Sequence, residues 1–173
     1  MELCFQTLYD HAALTAIARA IRKTYHRRKN IVTRIFMLLV FVFGVYSSTP
    51  LGGKEFRITG SNIICYITLL FIFLTLVWED GVNALFAKRR LPRGQYLVDA
   101  VFDDEGMTIG TAENNSYCVY QRIKYLTETR YFYIFVFNEN HAEVFEKDSL
   151  SGVSDEEFRE FICKKTQKQI RKI

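Results

Sequence analysis

The chain has 173 residues, 49% of them hydrophobic, and a formal net charge of +4. This length can hold one folded domain and a membrane segment, but it excludes two large soluble domains. The positive charge is concentrated in the first half, since residues 1–94 carry +8 and residues 95–173 carry −4. A nucleic-acid-binding domain carries its positive charge on its own folded surface, so this distribution argues against DNA or RNA and favours anionic lipid as the partner.

Residues 1–30 are predicted to form a cytoplasmic, basic, amphipathic helix, preceded by a short strand-like stretch at Glu2–Leu8. From His11 to Lys29 the apolar side chains recur every three or four residues, and Asp10 is a suitable N-cap. Two interpretations of this helix stay open. Its basic face contacts the anionic cytoplasmic leaflet, or its apolar face packs on the soluble domain of the same chain.

Two apolar stretches, residues 31–48 and 63–80, are predicted to be transmembrane helices joined by an extracytoplasmic loop at 49–62. A helix satisfies its own backbone hydrogen bonds, so it can cross hydrocarbon. A full crossing needs about 20 residues, so the ends of the second helix must lie at membrane depth or the bilayer must thin locally. The competing interpretation, a buried hairpin of a soluble protein, requires a covering partner larger than the rest of the chain.

Basic residues near the ends of the two stretches predict the orientation of the hairpin. Seven Lys and Arg residues lie in 1–34 and four in 88–93, against two in the connecting loop, so both termini are predicted to be inside. Residues 81–94 then form a basic linker, and Glu79 and Asp80 are expected to pair with its residues Lys88–Arg90. The predicted membrane-interface residues are Arg27, Arg28, Lys29, Arg34, Trp78, Lys88, Arg89 and Arg90.

Residues 95–173 change to short strands separated by polar turns, which is typical of an antiparallel sheet. A capping box at Ser154 and Glu157 starts a final helix, and its apolar stripe, which includes Ile170, is expected to close the sheet. The predicted fold class is an α+β membrane protein, in which a transmembrane helical hairpin precedes a small antiparallel β-sheet or partial barrel capped by a C-terminal helix. The predicted strands are Gln95–Phe102, Met107–Thr111, Tyr117–Tyr120, Arg122–Thr127, Tyr131–Phe137 and Ala142–Glu146.

The sequence predicts no catalytic residues, no cofactor and no metal site. Its histidines, His11, His26 and His141, have no partners at metal-ligand spacing, and its glycines form neither a phosphate-binding loop nor a dinucleotide fingerprint. The four cysteines are widely separated and are expected to be reduced. We therefore do not predict an enzyme.

The soluble half is rich in tyrosine, and some of these rings are candidates for a ligand groove. Most aromatic residues of so small a domain must be core, but each buried tyrosine hydroxyl needs a hydrogen-bond partner. Exposed rings could stack on a nucleobase or hold a peptide, with basic side chains receiving an anionic group. The predicted groove residues are Tyr120, Arg122, Lys124, Tyr131 and Tyr133.

Three segments after the two apolar stretches resemble the bacterial YcxB-like family: the acidic turn FDDEG at Phe102–Gly106, the Tyr120–Ile123 step, and Phe145–Gly152. The family often has tryptophan in place of Tyr120 and proline in place of Glu146. The resemblance implies a multi-pass protein of the bacterial inner membrane, with a cytoplasmic domain of pleckstrin-homology-like shape at 95–173. It brings no catalytic residues.

The predicted function is a non-enzymatic integral membrane protein whose cytoplasmic β-rich domain is an interaction or ligand-sensing module. The expected partners are anionic lipid headgroups, a second copy of the chain through the transmembrane helices, and a nucleotide or a protein. By layout alone, the chain also resembles membrane effectors of bacterial anti-phage systems. The alternative is therefore a membrane-disrupting effector gated by a cyclic nucleotide bound to the cytoplasmic domain.

Overall fold

The computed structural model describes residues 3–48, 60–90, 97–111 and 114–173. They form two compact units, which we call the hairpin unit (Arg27–Glu79) and the folded unit (Met1–His26 with Asp80–Ile173). The predicted α+β class is confirmed in this coarse form. In chain order the elements are β1 (Leu3–Leu8), α1 (His11–Thr24), α2 (Arg27–Ser48), α3 (Gly60–Arg90), β2 (Leu97–Phe102), β3 (Gly106–Gly110), β4 (Asn115–Val119), β5 (Tyr125–Glu128), β6 (Phe132–Val136), β7 (Ala142–Glu146), α4 (Asp155–Thr166) and β8 (Ile170–Lys172).

The hairpin unit consists of α2 and most of α3. The stretches Arg27–Ser47 and Asn62–Arg89 reach mean hydropathies of 1.8 and 1.9, and 0% and 6% of these apolar windows are buried within the chain. By length and composition, both helices could span a membrane. They approach closely at Gly44, where a Cβ atom would lie 2.7 Å from Leu69 Cδ2.

Both long helices of the hairpin unit, α2 and α3, are longer than the sequence predicted, whereas α1 is shorter. The helix predicted from His11 to Lys29 ends at Thr24, and α2 begins at Arg27 rather than at residue 31. The second helix continues from Gly60 to Arg90 with one non-helical residue, Trp78 (φ −112°, ψ 18°), so residues 81–90 of the predicted linker are helical. The extracytoplasmic loop predicted at 49–62 and the end of the linker fall largely in 49–59 and 91–96, outside the described residues.

The folded unit contains two four-stranded sheets, with strand orders β1-β2-β3-β4 and β7-β6-β5-β8. All pairs in the first sheet are antiparallel. In the second sheet β8 pairs with β5 in parallel, and the other pairs are antiparallel. The predicted strand Ala142–Glu146 has the observed bounds, whereas the strand predicted at Arg122–Thr127 begins later, at Tyr125, because residues 120–122 form a 3-10 turn.

The N-terminal segment belongs to the folded unit, which is therefore larger than the predicted 95–173. β1 pairs with β2 along its full length, from Leu3 opposite Phe102 to Leu8 opposite Leu97. The apolar face of α1 packs on β6 and β7, with Ala13, Leu14, Ala16 and Ala20 buried. Of the two interpretations of this helix, the structure favours packing on its own domain.

Aromatic rings from both sheets and from α4 form the core. Phe5 of β1 lies edge-on to Phe158 of α4, with ring centroids 4.8 Å apart, and it also contacts Phe102 and Phe145. All four rings are nearly inaccessible to solvent. A residue of the N-terminal strand thus lies at the centre of a core built mainly from the last 80 residues.

The end of the chain differs from the prediction. The capping box is confirmed, since the Ser154 hydroxyl accepts from the Glu157 backbone N–H and the Glu157 carboxylate accepts from the Ser154 backbone N–H. However, the helix ends at Thr166, and Gln167 takes the left-handed conformation (φ 56°). The chain changes direction at Gln167. As a result Ile170, which was predicted on the apolar stripe of the helix, lies in β8 and pairs with Leu126.

Candidate functional site

The structure places two of the predicted groove tyrosines in the core. Tyr120 is 3% exposed, its hydroxyl donates to the Asp103 carbonyl oxygen at 2.7 Å, and burial raises the pKa of that hydroxyl. Tyr133 is fully buried, and its hydroxyl donates to Asp155 at 2.5 Å. These contacts satisfy both hydroxyls within the fold, so neither ring can stack on a ligand.

The other three predicted residues do not lie together. Tyr131 is 54% exposed and directly precedes β6, with the Arg130 guanidinium 5.3 Å from its ring centroid. Lys124 lies near the far end of the same strand, because its backbone N–H donates to the Val136 carbonyl at 2.8 Å. Five strand residues span about 16 Å, so Tyr131 is separated from the Arg122–Lys124 segment by the length of β6.

Arg122 and Lys124 do lie together, and they line a pocket of about 500 Å³ that we call the cationic pocket. The 3-10 turn at Tyr120–Arg122 presents Arg122 outward, because the flanking Tyr120 and Ile123 are buried. The pocket lies where the start of β5 meets the turn between β6 and β7. Its remaining lining residues are Cys118, Val119, Gln121, Phe137, Asn138 and His141.

His141 provides the third basic group of the cationic pocket. Its ring stacks on Phe137 with centroids 4.9 Å apart, and its backbone carbonyl accepts from the Phe137 N–H at 3.0 Å. Its Nε2 lies 2.8 Å from Glu143 Oε1, and the hydrogen bond with this carboxylate raises the pKa of His141. The other Glu143 oxygen accepts a hydrogen bond from the hydroxyl of Tyr9.

The charges of the cationic pocket are only partly balanced within the protein. Glu143 serves His141 and Tyr9, whereas neither Arg122 nor Lys124 forms an ion pair with another of the described residues. Burial raises the pKa of the Cys118 thiol, so at neutral pH this residue stays uncharged beside them. Such a pocket can bind an oxyanion, because the guanidinium of Arg122 and the ammonium of Lys124 both donate charge-assisted hydrogen bonds.

A second charged cluster has a structural explanation. Glu128 is 2% exposed, and its carboxylate accepts two hydrogen bonds from Arg159 and one from Lys147, all at 2.7 Å. Burial alone would raise the pKa of Glu128, but these hydrogen bonds outweigh it and the pKa is lowered. Both basic side chains bind a carboxylate of the same chain, so this cluster joins β5 to α4 and to the 3-10 turn that follows β7, and it has a structural role.

Asp80, at the end of the apolar stretch, pairs with arginines of α1 rather than with the predicted Lys88–Arg90. Arg22 of α1 donates two hydrogen bonds of 2.6 Å to the carboxylate of Asp80, and Arg19 Nε lies 3.5 Å from it. Glu79 accepts from Arg34 at 3.1 Å. For Asp80 the prediction was wrong because α1 belongs to the folded unit and brings its own cations to this carboxylate.

Most of the predicted membrane-interface residues are exposed. Trp78 is exposed at the non-helical residue of α3. Arg34 is half-buried, and the side chain of Arg90 lies outside what the structure describes. The exposed basic residues at the predicted interface are Arg27, Arg28, Lys29, Lys88 and Arg89.

Sequence reasoning found Arg122 and Lys124 but missed Phe137 and His141. The order of the predicted strands could have indicated these two residues. When two consecutive strands pair in an antiparallel hairpin, the residues just before the first strand lie beside the residues just after the second. In the observed register Tyr125 lies opposite Val136, which brings residues 122–124 next to 137–141. Among the described residues, no group of three His, Cys, Asp or Glu side chains could hold a metal ion.

The chain matches no protein-family model, no curated protein and no solved structure. The resemblance to the YcxB-like family therefore stays a prediction.

Proposed function

We propose that this protein is a membrane-anchored binding module whose folded unit binds a small molecule that carries a phosphate group. One observation carries the proposal: Arg122 and Lys124, without ion-pair partners among the described residues, surround one pocket with His141, whose pKa is raised. A volume of about 500 Å³ lies within the usual range of small-molecule sites. Phosphate oxygens suit this set because they accept several charge-assisted hydrogen bonds at once.

The membrane part of the proposal is supported by α2 and α3, which are long, apolar and largely unburied within the chain. We place both termini in the cytoplasm because Lys and Arg are concentrated in residues 1–34 and 88–93. A bacterial inner membrane and a pleckstrin-homology-like domain follow from the YcxB-like resemblance. The two sheets and the C-terminal helix of the folded unit agree with such a domain.

Thermal unfolding of the full chain in lipid nanodiscs tests the binding function. The ligands are pyrophosphate, linear nucleotides and cyclic nucleotides in phosphatidylcholine nanodiscs, with phosphatidylglycerol nanodiscs as the lipid-headgroup arm. A ligand at 100 times its dissociation constant stabilises the native state by about 2.7 kcal/mol, a shift of several degrees for the folded unit. Arg122→Gln and Lys124→Gln should abolish the shift.

Lys164→Gln is the matched control, since it removes the same charge from an exposed site on α4 and should leave the shift intact. A shift with free nucleotide identifies a soluble ligand, and a shift confined to phosphatidylglycerol identifies a lipid headgroup. The binding proposal is overturned if no ligand shifts the wild-type protein, or if Arg122→Gln and Lys124→Gln respond like Lys164→Gln.

A membrane-disrupting effector is the second candidate function, and the same samples address it. If a cyclic nucleotide gives the shift, dye-loaded vesicles containing the full chain should leak on its addition, and the Arg122→Gln variant should not respond. Binding without leakage assigns the protein to the sensing or interaction class.

A further inference from the structure

The last part of α3, after the non-helical Trp78, is a helix with one face packed within the protein and an apolar face that is exposed. From Asp80 onward it belongs to the folded unit, and one of its faces packs on the rest of that unit: Ala84 is fully buried, and Asp80 is held by Arg22 and Arg19. Gly81 lies beside His11, whose Cε1 would be 4.0 Å from a Cβ atom at that position. This face is therefore already covered by other residues of the folded unit.

The opposite face is apolar and exposed. Val82, Leu85 and Phe86 are 46%, 48% and 53% exposed, and their spacing of three and one places them on one side of the helix. Lys88 and Arg89 follow and are also exposed. We call Val82, Leu85 and Phe86 the outer apolar face. A surface helix in water normally turns polar side chains outward, so this face requires a non-aqueous neighbour.

We propose that the outer apolar face lies in the headgroup region of an anionic bilayer, as an interfacial helix rather than as part of the transmembrane span. The inference rests on the membrane anchoring proposed above. Val82 follows Trp78 by four residues, which can span at most about 14 Å, so it remains within reach of the layer in which tryptophan side chains concentrate.

Two further observations favour the interface over the hydrocarbon interior. The ion pairs of Asp80 with Arg22 and Arg19 join this part of α3 to α1 within the folded unit, which cannot enter the hydrocarbon. The exposed cations Lys88 and Arg89 complement anionic headgroups, to which lysine and arginine side chains near the surface are attracted. Apolar side chains beside lysine and arginine are typical of helices that lie in the interfacial plane.

The single tryptophan of the chain makes a direct test possible. In a Trp78→Phe background, Phe86→Trp places the only indole on the outer apolar face. The full-length protein is reconstituted in phosphatidylglycerol vesicles with lipids brominated at shallow acyl positions, which quench nearby tryptophan. We expect blue-shifted emission and loss of most of its intensity. The control is Tyr131→Trp in the same background, an exposed ring on the folded unit whose emission should stay red-shifted and unquenched.

The outcomes separate this inference from the anchoring on which it rests. If the same lipids do not quench Trp78 of the wild-type protein, anchoring fails and the inference fails with it. If they quench Trp78 but leave the Phe86→Trp variant unquenched and red-shifted, the interfacial helix alone is overturned. Emission of the Phe86→Trp variant that is blue-shifted, unquenched and dependent on protein density overturns it in favour of a second copy of the chain. Replacing Lys88 and Arg89 by glutamine should reduce the quenching of the Phe86→Trp variant.

Discussion

The hairpin unit and the folded unit use the same apolar residue types in opposite ways. In the folded unit, phenylalanines such as Phe5 and Phe158 are buried against one another. In the hairpin unit, Phe36, Phe43 and Phe71 are between 65% and 71% exposed. Water disfavours so many uncovered rings, so the hairpin unit requires an apolar neighbour that the described residues do not supply, and the neighbour that we propose is a lipid bilayer.

The buried carboxylate of the folded unit and two threonine hydroxyls of the hairpin unit find their hydrogen-bond partners at different distances along the chain. In the folded unit, the buried Glu128 is satisfied by Arg159 and Lys147 from elements distant in sequence. In the hairpin unit, the hydroxyls of Thr68 and Thr75 donate to carbonyls four residues earlier in the same helix. Local satisfaction of this kind suits a helix in hydrocarbon, where no water is available to bond a polar group.

The largest expected effect on stability is that of truncating Phe5 in the folded unit, compared with truncating Phe43 in the hairpin unit. Phe5→Ala removes the central ring of the core, and we expect the free energy of unfolding of the folded unit to fall by about 3–5 kcal/mol. Phe43→Ala in the hairpin unit should leave the free energy of unfolding of the folded unit unchanged, because the Phe43 ring is 71% exposed. Urea titration of the full chain in mild detergent, followed by the near-ultraviolet circular dichroism of the tyrosines, gives both values. Equal losses would contradict the comparison.

The next largest effect concerns the buried carboxylate. Glu128→Ala leaves Arg159 and Lys147 without their partner, and we expect a loss of about 3 kcal/mol. Because the folded-state pKa of Glu128 is lowered, its contribution is fully present above the ordinary value of 4.5 and is lost as pH falls through the folded-state pKa. The difference between wild type and variant should therefore shrink in acid.

Asp104→Ala is the control for Glu128→Ala. Asp104 pairs with Lys165 at 2.8 Å, but its side chain is 95% exposed. Solvent screens such a pair, so its removal should have no measurable effect on the urea midpoint. If both variants unfold at the wild-type midpoint, Glu128 does not join its elements in the way that the structure indicates.

Local signals in the sequence predicted the elements whose formation depends on nearby residues. The apolar stretch at residues 63–80 predicted the second long helix, and Ser154 with Glu157 predicted the start of α4. These predictions succeeded because backbone satisfaction and helix capping involve residues only a few positions apart.

Features that depend on distant pairing were not predictable in the same way. β1 joins the first sheet through pairs such as Leu3 with Phe102, and its short apolar pattern carries no information about that partner. β8 was missed because Ile170 continues the apolar spacing of α4, and no glycine marks the left-handed turn at Gln167. The cationic pocket was found only in part, because Arg122 and His141 meet through the register of β5 and β6.

The smallest expected effect tests whether the polar groups of the folded unit are set by their neighbours, as the comparison with the hairpin unit implies. Glu143→Gln removes the carboxylate that raises the pKa of His141, so that pKa should fall. Because the folded-state pKa is raised, the stabilisation by this pair is fully present below the ordinary value of 6.5 and is lost as pH rises through the folded-state pKa.

Proton NMR of the histidine rings during a pH titration measures the pKa, and His141→Gln identifies the signal. Affinity for a phosphate-bearing ligand should weaken over the same pH range as the imidazolium is lost. An unchanged His141 pKa in Glu143→Gln would show that Glu143 does not set the charge of His141. The specificity of the cationic pocket would then rest on Arg122 and Lys124 alone.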